Sequence, residues 1–66
     1  MNIQLNGETT PVDDSTTLGD IVRRMNLEGS RYAVEVNEEL VPRSEHEGYR
    51  LKEGDNVEIV QAIGGG

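Results

Sequence analysis

Residues 17–29, TLGDIVRRMNLEG, place Leu18, Ile21, Val22 and Met25 at i, i+3, i+4 and i+7, one apolar stripe along an α-helix. The segments on either side repeat every second residue instead. In NIQLNGETTPV, Ile3 and Leu5 share one face while Asn2, Gln4 and Asn6 share the other. In RYAVEVNEELVPR, Tyr32, Val34 and Val36 point one way and Ala33, Glu35 and Asn37 the other. A lone amphipathic helix cannot bury its own stripe, and a sheet with one apolar face needs a cover. The two together predict a two-layer α+β domain in the order β-β-α-β-β-β.

The punctuation agrees with that order. Asn6-Gly7 suits a tight hairpin with positive φ at both turn positions, and Pro11, lacking an N–H, places the second strand at a sheet edge. Thr17 is the expected N-cap, with Asp20 answering as a short capping box; Arg23 and Arg24 suit the C-terminal end, and Gly29 is expected to stop the helix. Asn37-Glu38-Glu39 reads as a turn, Leu40-Val41 as a short return strand curtailed by Pro42, and SEHEGY as irregular connection. Gly54-Asp55 reads as a further turn before a last strand that points Val57 and Ile59 inward, leaving Val60 and Ala62 outward and Ile63 beside the end.

Sixty-six residues form one domain with little room for an internal catalytic cleft. With Tyr32 and Tyr49 the only aromatics, the core rests on Ile, Leu and Val. A net charge of -7 argues against nucleic acid or an anionic membrane as partner and leaves two readings, attraction to a basic protein surface or solubility alone. The absence of cysteine removes disulfides, thiolate nucleophiles and Cys-based metal sites. The opening MNIQLNG has no basic segment followed by an apolar one, and no apolar run reaches membrane-spanning length, so a cytoplasmic location is expected.

Catalytic chemistry is not apparent. His46 is expected to be an exposed loop histidine, without a nucleophile or second histidine beside it; Glu45 and Glu47 flank it in a charge-rich loop. Lys52, the only lysine, carries no sign of the desolvation a nucleophile needs. No catalytic residue, metal ligand or bound cofactor is expected, and the chain reads as a substrate or partner of enzymes.

The ending AIGGG then demands a reason. Glycine is costly to order, so 1–63 reads as the folded domain and 64–66 as a flexible tail. One account is a frayed end. The other is a working terminus: an α-carboxylate is inert until activated, for example as an acyl-adenylate. A tail with no Cβ can thread a narrow channel to ATP held by another protein.

The β-β-α-β-β-β order, the stretches VEVNEELVPRS and LKEGDNVEIVQAI, and the closing Gly65-Gly66 together resemble the ThiS family, the ubiquitin-like sulfur carriers of thiamin biosynthesis. The Gly-Gly end belongs to ubiquitin-like carriers at large, whereas N-x-x-x-V-P-R-S, Asn37 to Ser44, points to this family in particular. The related small subunit of molybdopterin synthase is usually longer, with prolines before its last glycines; Val60-Gln61-Ala62-Ile63 has none. Gly64 departs slightly, standing where many carriers have another small residue.

The resemblance implies a ubiquitin-like β-grasp fold, a mixed five-stranded sheet on one helix. It implies that a ThiF-like adenylyltransferase uses ATP and Mg²⁺ to adenylate Gly66, with Gly64 and Gly65 threading that enzyme. A persulfide then converts the end to a thiocarboxylate, whose sulfur goes to thiazole synthase, ThiG. Val60, Ala62 and Ile63 are the expected partner-docking residues. The alternatives are a carrier for molybdopterin or another sulfur-requiring product, and a β-grasp interaction module whose glycines are incidental.

Overall fold

The computed structural model describes residues 1–61. Their elements are β1 (Asn2–Leu5), β2 (Glu8–Pro11), α1 (Leu18–Arg24), β3 (Tyr32–Val36), β4 (Glu39–Val41), a single 3-10 turn (Arg43–Glu45) and β5 (Asn56–Gln61). The strands form one sheet in the order β2-β1-β5-β3-β4. β5 lies in the middle, parallel to β1 and antiparallel to β3, so the sheet is mixed as expected. β2 is an edge, which accommodates Pro11.

The first hairpin turns at Asn6 (φ 50°) and Gly7 (φ 86°), both positive as a two-residue turn of this hand requires. Helix α1 begins as its cap predicts. The Asp20 N–H donates to Thr17 Oγ1 at 3.2 Å, and the Thr17 N–H donates to Asp20 Oδ2 at 3.0 Å. The other free amides of the first turn find partners far along the chain: Leu18 N–H donates to the Tyr49 carbonyl and Gly19 N–H to that of His46, each at 3.0 Å. A helix of 7 residues is not stable by itself, so these bonds and the buried stripe hold it.

The Thr17 N–H first, then Arg23, keeps the Asp20 carboxyl below its ordinary pKa. A depressed carboxyl supports folding above its unfolded-state pKa and gives up that support as pH falls through the folded-state value, so the cap weakens in acid. Thr17→Ala is expected to lower stability by about 1 kcal/mol, read from urea unfolding at neutral pH; an unchanged midpoint would mean that the distant carbonyls hold the helix start without the cap.

The helix ends earlier than Gly29. Met25 is the C-cap and Asn26 takes the left-handed conformation (φ 58°). The Asn26 N–H returns to the Arg23 carbonyl and the Leu27 N–H to that of Val22, each at 3.1 Å, the paired bonds of a Schellman stop. Buried Leu27 packs in the same core cluster as Val22 and makes asparagine an adequate terminator there; Gly29 (φ 84°) shapes the loop that follows.

The core lies between helix and sheet. Leu18, Ile21 and Val22 of α1 meet Ile3, Val34, Val36, Val41 and Val57 from the strands, closed by Leu27 and Leu51. The second hairpin turns on Asn37 (φ 53°) and Glu38 (φ 72°), so Glu39 belongs to β4 and not to the turn. The next turn centres on Glu53-Gly54, with the Asp55 N–H donating to the Lys52 carbonyl at 3.0 Å and Gly54 at φ 83°. It lies one residue before the position expected from the sequence.

Candidate functional site

Period-two alternation along the central strand decides what β5 offers. Val57 is fully buried opposite Val36 and Leu5, Ile59 is half-buried opposite Val34, and Val60 is 68% exposed opposite Ala33. Val60 thus stands on the open face of the sheet, away from the helix. Ala62, Ile63, Gly64, Gly65 and Gly66 lie outside the described residues; the chain reaches them directly from the end of β5. Of the residues expected to dock a partner or thread the activating enzyme, Val60 is the one whose place the structure describes.

His46 overturns its expectation. It is 4% exposed, with Nε2 at 2.9 Å from the Val41 carbonyl oxygen, and Nδ1 has no partner among the described residues. Since a carbonyl can only accept, Nε2 carries the proton of this bond. The polar run SEHEG holds no apolar anchor to signal burial. The segment is seated by backbone: the His46 carbonyl receives Gly19 N–H, and the 3-10 turn at Arg43–Glu45 folds the ring inward beside Tyr32, with ring centroids 6.0 Å apart. No group of three or more His, Cys, Asp or Glu side chains able to hold a metal ion occurs among the described residues.

The N-x-x-x-V-P-R-S stretch proves to be a set of structural locks. Asn37 Nδ2 donates to buried Asp55 at 3.1 Å, and Asn37 Oδ1 accepts the Asn56 N–H at 3.0 Å, tying the hairpin turn to the start of β5. Val41 supplies the carbonyl that holds His46, and Pro42 caps the 3-10 turn. Arg43 lies 4.2 Å over the Tyr32 ring and donates to the Ser30 carbonyl at 2.8 Å, a cation–π contact combined with a hydrogen bond. The motif positions the strand that leads to the glycines.

On the helix side one arginine pairs with two carboxylates. Arg23 bridges Asp20 and Glu47, whose carboxylates hold its guanidinium above its ordinary pKa, Glu47 contributing most. No helix of the described residues is long and apolar enough to cross a membrane.

A mixed five-stranded sheet wrapped on one helix, with its central strand last in the chain, is the ubiquitin-like β-grasp architecture. The model of the ThiS family matches residues 3–66, and the chain belongs to that family. The crystal structure of the thiamine biosynthesis protein ThiS from Geobacter metallireducens superposes with a TM-score of 0.81 at 29% identity, covering 100% of both chains. Two proteins named thiazole synthase match the whole of this chain. That of Paramagnetospirillum magneticum is 35% identical and that of Magnetococcus marinus 36%. The chain spans 20% of the length of each.

Proposed function

We propose that this chain is a sulfur carrier for the thiazole of thiamin, with the carboxylate of Gly66 as the reacting group and no catalysis by the chain itself. A ThiF-like adenylyltransferase supplies ATP and Mg²⁺; a Gly66 carboxylate oxygen attacks the α-phosphorus and pyrophosphate leaves. The outer sulfur of a persulfide then attacks the acyl carbon and displaces AMP. Thiol reduction of the resulting acyl disulfide releases the thiocarboxylate, the sulfur source for a ThiG-type thiazole synthase.

The observation that carries this reading is the family match running through Gly66 on a β-grasp domain. The two relatives named thiazole synthase favour the thiazole route over molybdopterin. A chain like this one matched within a longer protein of that name fits a carrier that works beside the synthase, since a tether raises effective concentration. The test is intact mass after incubation with the adenylyltransferase, ATP, Mg²⁺ and a persulfide donor. The expected change is one oxygen replaced by sulfur, placed at Gly66 by fragmentation. A pure interaction module would bind its partner and keep its mass.

Gly64 and Gly65 serve as the thread through the enzyme, and Val60, with Ala62 and Ile63, as the docking surface beside it. Val60→Asp is expected to weaken the complex with the adenylyltransferase while melting close to wild type, because the side chain is exposed. Titration calorimetry that returned wild-type affinity would remove Val60 from the interface.

A further inference from the structure

The open face of the sheet carries an arrangement that folding alone does not favour. Glu35 of β3 stands directly opposite Glu58 of β5, and both are exposed. Like charges facing each other across a strand pair repel, at a few ångströms between Cβ atoms. Neither carboxylate has an ion-pair partner among the described residues. The six basic residues, Arg23, Arg24, Arg31, Arg43, Arg50 and Lys52, all lie off the five strands, so no strand supplies a cation opposite the pair; Arg31, just before β3, forms no ion pair with either carboxylate.

Apolar side chains bracket the pair. On one side Leu40 of β4, opposite Glu35, is 67% exposed; along the strands on the other, Val60 sits opposite Ala33. Leu40 and Val60 are the large hydrophobic side chains most open to solvent among the described residues. Two unpaired carboxylates between two apolar contacts match a guanidinium set among apolar side chains. Its planar fork can serve both acceptors, and its weak hydration lets it be covered.

We propose that Glu35 and Glu58 form a recognition pair for an arginine on the enzyme that activates Gly66, with Leu40 and Val60 closing apolar surface around it. This rests on the carrier reading above. Docking removes the repulsion between the carboxylates, so the pair strengthens the complex although it weakens the free fold.

The test compares the full chain with the Glu35→Gln/Glu58→Gln variant and with a control of equal charge change off the face, Asp13→Asn/Glu28→Gln. Binding to the adenylyltransferase is titrated at low and high salt, melting is recorded, and sulfur loading of the wild type is followed by mass. The face variant is expected to melt at or above wild type, to bind about tenfold more weakly at low salt, and to lose most of the salt dependence of binding. The control should bind as wild type does. Wild-type affinity in the face variant, equal weakening in the control, a lowered melting temperature in the face variant, or no binding by the wild type overturns the proposal. A wild-type chain that binds the enzyme but gains no sulfur refutes the carrier reading instead, and the binding comparison still decides the role of the pair.

Discussion

Extending the chain by one residue beyond Gly66 is expected to abolish sulfur loading. Adenylation needs the carboxylate oxygen in near contact and in line with the α-phosphorus of ATP, and one added residue moves the carboxylate by a full residue length. The enzyme cannot recover that distance by sliding the carrier, because the folded domain is too wide to follow the glycines into a channel. Docking on the sheet face should persist in the extended protein, so the expected result is retained binding with no gain of mass.

Gly65→Val tests the same geometry from another side. A β-branched side chain restricts the backbone and adds bulk where a channel would close around it, so loading should fall steeply. The core cluster draws on residues from Ile3 to Val57, so the variant should melt as wild type. An extended chain that acquires sulfur without first being trimmed would end the carrier reading.

Ile21→Ala should remove a large part of the domain's stability. Ile21 is fully buried on the inner face of α1, within the cluster that includes Val34, Val36 and Val57. Its truncation loses apolar burial and leaves a cavity between two rigid layers, a cost of roughly 2–4 kcal/mol. A small domain has only about 5–15 kcal/mol in total, and each kcal/mol shifts melting by roughly 4–8 °C at this size. Melting followed by circular dichroism should therefore fall by roughly 10–30 °C. A variant that melts with wild type would show that the helix stripe does not face the sheet.

Local physics accounts for what could be read in advance. Thr17 caps the helix with Asp20 because donor and acceptor are three residues apart, and Asn6-Gly7 turns because both residues tolerate positive φ. Val57 turns inward and Val60 outward because a strand alternates. The threading role of Gly64, Gly65 and Gly66 rests on the absence of Cβ, and those residues lie outside the described part of the chain.

Partners distant in the chain decided the rest. Asn26 stops the helix because Leu27 finds a place in the core, whereas Gly29 alone looked the stronger signal. His46 is buried because its carbonyl meets the helix start and its ring meets Val41, contacts that a polar loop sequence does not announce. Glu35 faces Glu58 only because β5 enters the sheet between β1 and β3 in one register; a slip of one residue would turn β5's outward side chains to the core. Periodicity determined which side chains are buried and which are exposed within each element, because that depends on neighbours two to four residues away. Strand order and register determined which exposed side chains stand together, because those are set by packing the whole core at once.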